Sequence, residues 1–166
     1  MLGSRPHAES GALIYLVGGD AQIVNKSSKI FTALSNQVHH VGPVGAGMTM
    51  KLAVNTLFGI QVAAMGEVLG FLQKSGLELG PAINILNEMP TTSAAMQRIS
   101  TLMATQSYSP NFPIKLVEKD FGFVSDVASQ VNAHMPTAIA VKNVFMQASK
   151  EGYSNDDISG VAQLYV

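Results

Sequence analysis

The chain of 166 residues contains no cysteine. That excludes disulfides, a thiolate zinc site and a cysteine nucleophile, and it leaves the redox compartment unmarked, so a cytoplasmic setting is the default expectation. Charge is also scarce: Asp, Glu, Lys and Arg make up 13% of the residues, and the formal net charge is −1. With no basic run to neutralise phosphates, a nucleic-acid partner is not expected. The N-terminus lacks a basic stretch followed by an apolar run. The apolar segment from Met48 to Leu72 is interrupted by Lys51, Asn55, Gln61 and Glu67. Neither a signal peptide nor a membrane span is expected on those grounds. The four histidines share no ligand spacing with carboxylates, and the adjacent His39 and His40 diverge on a strand, so no metal site is expected. Internal repeats and low-complexity tracts are absent too.

What is present is apolar. The hydrophobic fraction of 47% suits one globular core with extensive buried helix surface. Ala12 to Val17 is a continuous apolar run closed by Gly18-Gly19, and it reads as a strand. Asp20 caps a helix running to about Ser35, and Gln37 to Val41 reads as a second short strand. From Gly45 onward the pattern is helical. A segment from about Ala46 to Lys74, ended by Ser75-Gly76, is far longer than the usual helix of about 11–12 residues. Gly59, Ala63, Ala64, Gly66 and Gly70 put small residues along it, which permits close helix approach at some cost in helix propensity. Further helices are expected at about 81–88, 93–105, 113–132, 136–151 and 156–164. The nine methionines read as packing between helices, Phe112 as a core anchor, and Asp156-Asp157 as a helix cap.

The most informative pattern is Gly42-Pro43-Val44-Gly45-Ala46-Gly47-Met48-Thr49-Met50-Lys51-Leu52-Ala53-Val54-Asn55. Closely spaced glycines precede a lysine and an asparagine four residues apart. One helical turn is about 3.6 residues, so Lys51 and Asn55 share a face and can address one small molecule. Spacing alone favours an ordinary solvated pair. The whole pattern, however, resembles the catalytic signature of the β-hydroxyacid dehydrogenases, a family that includes 3-hydroxyisobutyrate dehydrogenase-like and 6-phosphogluconate dehydrogenase-like enzymes. Gly42, Gly45, Gly47, Lys51 and Asn55 fill every fixed position. Glu118-Lys119-Asp120-Phe121-Gly122 resembles the same family's lysine-aspartate cofactor segment. The start of the chain, Leu2-Gly3-Ser4-Arg5-Pro6, is similar to the tail of its substrate-binding motif, with Leu2 where serine is usual and Ser4 where the second glycine is usual.

The resemblance implies a mainly α fold: residues 45–166 as an all-α helical domain for substrate binding and dimerisation, like the C-terminal domain of 6-phosphogluconate dehydrogenase-like enzymes. Residues 1–44 would be a short β-α-β remnant of an N-terminal Rossmann cofactor domain. It implies an oxidoreductase that interconverts a small hydroxy acid and its semialdehyde or keto form with NAD or NADP. Lys51 and Asn55 would be catalytic, with Lys51 transferring the proton and Asn55 orienting the substrate. Gly3, Ser4, Gly45 and Gly47 would bind substrate, and Lys119 would contact the cofactor ribose. The chain has no Gly-x-Gly-x-x-Gly turn with a ribose-reading acid behind it. It is therefore expected to be a C-terminal portion, inactive without its cofactor half. An exposed sheet edge and apolar helix surface would favour a homodimer or homotetramer. Two further readings are an imine reductase-like fragment and a noncatalytic dimerising helical module.

Overall fold

A computed structural model describes residues 1–3 and 5–166. It divides into two compact units, Met1–Asn55 and Thr56–Val166. The first holds α1 (Arg5–Glu9), β1 (Ile14–Gly18), α2 (Ala21–Lys26), α3 (Ser28–Leu34) and β2 (Gln37–Gly42). The strands pair in parallel with Ile14 opposite Gln37, and a bulge lies between Val17 and Gly18. Leu2 bridges antiparallel to Ile14 through hydrogen bonds of 2.8 and 3.1 Å. Asp20 caps α2 as its position suggests, its Oδ1 accepting from the amides of Gln22 and Ile23. Tyr15 on β1 packs its ring 5.5 Å from that of Phe31 on α3.

The single helix expected over 20–35 is two. Ser27 ends α2, its amide shared among the carbonyls of Ile23, Val24 and Asn25, and α3 starts at Ser28. The run Asn25-Lys26-Ser27-Ser28 is poor in helix formers, and short polar side chains compete with the helical ladder. From β1 onward the first unit is therefore β-α-α-β rather than β-α-β, and the short helix α1 precedes it.

Helix α4 (Ala46–Lys74) spans 29 residues as the pattern requires. Gly76 ends it with φ +85°, while Leu77 and Gly76 donate to the carbonyls of Leu72 and Gln73 in a Schellman closure. Among the described residues α4 is also long and apolar enough to cross a membrane by length and composition. Its inward side, however, is the axis of the second unit: Val62, Ala63 and Leu69 are buried there. Around it come α5 (Leu79–Glu88), α6 (Ala94–Ala104), α7 (Ile114–Gln130) and α8 (Pro136–Ala148). A π-turn follows at Ser149–Tyr153, and a 3₁₀ segment at Ile158–Leu164. The helices expected over 136–151 and 156–164 thus end differently. The first stops at Gly152, φ +101°, where a helix over 136–151 should stop, but its last turn is wound as π, and the second winds as 3₁₀ from its Asp157 cap. Likewise α5 begins at Leu79, two residues ahead of the expected Pro81, because proline is tolerated in a first turn where no amide is needed.

Packing in this unit depends on missing side chains. A Cβ on Gly59 would stand 2.5 Å from Cε2 of Phe121, and one on Gly70 would stand 2.6 Å from Cβ of Tyr165. With Ala63 and Gly66 these positions form one stripe at helical spacing. Phe121 and Phe145 fill the space, their rings 5.9 Å apart. Tyr165 donates to Glu67 Oε1 at 3.4 Å, and burial together with the Glu67 charge and that bond pushes its phenol up to about 12.

Alanine usually favours a helix over glycine by about 1 kcal/mol, yet Gly59→Ala is expected to destabilise. The overlap with Phe121 should outweigh propensity by roughly 1–3 kcal/mol. Gly80→Ala on α5, where a Cβ meets nothing within 4 Å, should leave stability unchanged or raise it. Urea unfolding of both variants checks the sign of each.

Candidate functional site

The parallel strands end in glycine-rich turns, and β2 leads through Gly42-Pro43-Val44-Gly45 into α4. The start of α4 therefore follows the C-terminal end of a parallel strand, the edge at which open α/β sheets bind ligands. Gly45 is the last residue before the helix, and its carbonyl accepts from the amides of Met48 and Thr49 at 3.0 and 3.1 Å. Its φ of +95° needs glycine, and it is exposed with no atom near the place of a Cβ. Gly47, two residues on, is buried.

Lys51 and Asn55 follow at one and two turns, both half-buried. They sit at i+4 and i+8 from Gly47, so the three form one stripe of α4. The neighbours Met50 and Val54 are partly exposed, at 44% and 38%. Lys51 lies near the α-ammonium of Met1, whose pKa is lowered first by burial and then by the Lys51 charge. Gly3 has φ +119°, and a Cβ there would come within 3.0 Å of Leu13 and His7. Its conformation is thus its own reason to be glycine. Ser4 lies outside the described residues. The first unit therefore contains Lys51, Asn55, Gly45, Gly47 and Gly3.

Lys119 belongs to the second unit. It is exposed on α7 with Nζ 5.8 Å above the ring of Phe123, one turn further on. Asp120 turns the other way and is 7% exposed. An exposed ammonium can give three hydrogen bonds to sugar hydroxyls or phosphate oxygens, which suits the cofactor role that the resemblance implies.

Position alone left the weight of Asp157 unseen. It caps the 3₁₀ segment as its place suggested, Oδ1 accepting from the amide and hydroxyl of Ser159. Its Oδ2 also accepts from the amides of Asn111 and Phe112, 3.0 and 3.1 Å away. Buried to 3% exposure, this carboxylate ties the loop before α7 to a segment more than forty residues further on. Backbone bonds from Ile114 to Asp156 and from Ile158 to Phe112 extend the tie. Nearby, the Tyr108 hydroxyl is buried with no hydrogen-bond partner, and burial followed by the charge of Asp156 raises its pKa.

A family model described as the NAD-binding part of NADP-dependent 3-hydroxyisobutyrate dehydrogenase matches residues 45–165. The chain belongs to the β-hydroxyacid dehydrogenase family. Glyoxylate/succinic semialdehyde reductase 1 of Arabidopsis thaliana is 32% identical over 161 residues, covering 97% of this chain and 56% of the reductase. NAD-dependent L-serine dehydrogenase of Pseudomonas aeruginosa is 26% identical over 170 residues, covering 98% and 57%. The crystal structure of a 3-hydroxyisobutyrate dehydrogenase from Salmonella typhimurium superimposes with a TM-score of 0.89 at 23% identity, over 99% of this chain and 58% of that one. That likeness shows a shared fold. The chain spans a little over half the length of these relatives.

Asp157→Ala would leave two loop amides and the Ser159 donors without their acceptor. Hydrogen bonds to charged groups are worth about 1.5–3 kcal/mol each, so a loss of about 3 kcal/mol or more is expected in urea unfolding. Asp157→Asn should lose less, and hydrogen exchange at the Asn111 and Phe112 amides should rise in both variants.

Proposed function

We propose that this chain supplies the helical, substrate-handling half of an oxidoreductase that interconverts a small hydroxy acid and its semialdehyde or keto form. Residues 1–44 continue a cofactor-binding domain, and residues 45–166 form the substrate and dimerisation domain. The observation that carries this reading is the placement of Lys51 and Asn55 on one stripe of α4, directly after the exposed Gly45 turn. Glyoxylate and succinic semialdehyde, the compounds in the Arabidopsis relative's name, each join a carboxylate to an aldehyde. Such a substrate needs an anion cradle and a proton donor a few ångströms apart.

The start of a helix is a favourable place for a carboxylate, and at the start of α4 the exposed Gly45 turn leaves open space beside backbone. Gly45 leaves room for substrate to reach backbone there, and the family pattern adds Gly47, Gly3 and Ser4 to the substrate site. When bound, NAD or NADP would supply the redox chemistry, its reduced form giving a hydride in reduction and its oxidised form accepting one in oxidation. In the reducing direction the ammonium of Lys51 gives its proton to the carbonyl oxygen as that oxygen gains charge, and in oxidation the neutral amine takes it back. Asn55 offers an amide donor and a carbonyl acceptor, so it orients the reacting group without changing charge. Lys119 would hold the cofactor ribose.

In a two-domain enzyme carrying this half, Lys51→Ala is expected to lower kcat by about 10²–10⁴-fold with little change in cofactor affinity. Lys119→Ala should mainly weaken cofactor binding. The present chain alone should show no turnover of NADH or NADPH with glyoxylate or succinic semialdehyde. A Lys51→Ala variant with near-normal kcat and only a raised KM would make Lys51 a binding residue and overturn the mechanism.

Assembly follows from the outward side of α4. Leu57, Val68 and Phe71 are 61%, 41% and 69% exposed along it, with Ile85 of α5 at 61%. An apolar face of that kind supports a homodimer or homotetramer. Light scattering at micromolar concentration should give at least a dimer, and Phe71→Glu should shift it towards monomer without loss of helix content.

A further inference from the structure

The glycines at the foot of α4 are of two kinds. Gly45 is required by its φ, and space around it is open. Gly47 lies inside the helix and is required by proximity: a Cβ there would overlap the carbonyl oxygen of Leu16 and stand 3.1 Å from the amide nitrogen of Gly18. The converse also holds. A Cβ on Gly18 would come 2.5 Å from the carbonyl oxygen of Pro43 and 3.1 Å from the amide nitrogen of Gly47. The strand end and the first turn of the helix are therefore in direct backbone contact, where no side chain fits on either partner. The bulge after Val17 and the 2.8 Å bond from the Gly19 amide to the Gly42 carbonyl lie at the same place.

We propose that Gly18 and Gly47 are positioning residues for Lys51, fixing the depth and rotation of α4 on the end of β1 and hence where the Lys51 ammonium stands. Gly18 falls outside the glycine-lysine-asparagine motif and carries no other assignment. Lys51 is one turn beyond Gly47 on the same stripe of α4, so a displacement of the first turn carries it along. Any side chain at either glycine must lift the first turn off the strand. Displacement of a catalytic group on the order of 1 Å is enough to cost about 10²-fold in rate. The assignment rests on the reading of Lys51 as proton donor, but its test needs no turnover.

Met1 reports where Lys51 is. After reductive ¹³C-methylation, which keeps both charges, the α-amine of Met1 can be titrated by NMR in the present chain, in Lys51→Met, in Gly47→Ala and in the double variant. Removing the Lys51 charge is expected to raise the Met1 midpoint when Gly47 is present. With alanine at 47 that increment should fall to less than half, and Gly18→Ala should reproduce the loss from the other side of the junction. Gly80→Ala, in open space on α5, should leave the increment intact. An unchanged increment in Gly47→Ala and Gly18→Ala, whatever their melting temperatures, would make these glycines packing residues only. Failure of both variants to fold would also overturn the assignment, because the junction would then hold the unit rather than the lysine.

Discussion

Backbone approach without side chains is the constraint on which both units depend. At Gly47 it lets the first turn of α4 rest on the end of β1, and at Gly59 and Gly70 it lets Phe121 and Tyr165 lie against the helix itself. Each glycine weakens the helix intrinsically, by up to about 1 kcal/mol relative to alanine. A helix of 29 residues with this many small positions is therefore maintained by what packs on it. Most helical stability in proteins comes from tertiary packing of this kind rather than from propensity.

The polar groups that remain inside follow a related rule. Asp157 is almost fully buried, and four donors converge on its two oxygens. Ser100, equally buried, donates to Asn87 and to the carbonyl of Gln97. Buried polar groups satisfied in this way specify how segments meet, since a partial set of bonds would cost more than it returns. Among the described residues Tyr108 is the exception, a buried hydroxyl without a protein partner, set in the loop that Asp157 secures.

Much of this was legible in the sequence where a pattern was local. The length of α4, its Schellman closure at Gly76, the Asp20 cap and the two strands all follow from apolar periodicity and short-range capping chemistry. The break at Ser27 was harder to read, because a weak run of four polar residues does not interrupt the apolar period around it. The π-turn and the 3₁₀ segment depend on how the end of α8 meets Glu118 and Asp157, contacts that no window of neighbouring residues contains. Among candidate site residues, Lys51 and Asn55 are legible through the glycine-lysine-asparagine pattern that holds them, since their spacing by itself suits a solvated pair. Gly18 was read only as the close of a strand. The reason it is glycine lies in residues 43 and 47, remote in sequence and adjacent in space, and the pair Gly18-Gly19 was the one available hint.

The Asp157 tie also bears on the order in which the second unit can form. The amides of Asn111 and Phe112 find their acceptor 46 and 45 residues further along the chain. Closing a loop of that length costs entropy before its contacts offset the cost. Helix α7 can nucleate early through its own turns, but the loop that delivers the chain into it has no settled path until the Asp157 segment has been synthesised and docked. The carboxylate at 157 is thus expected to be a late fastening, closing the entrance of a helix whose own turns can form first.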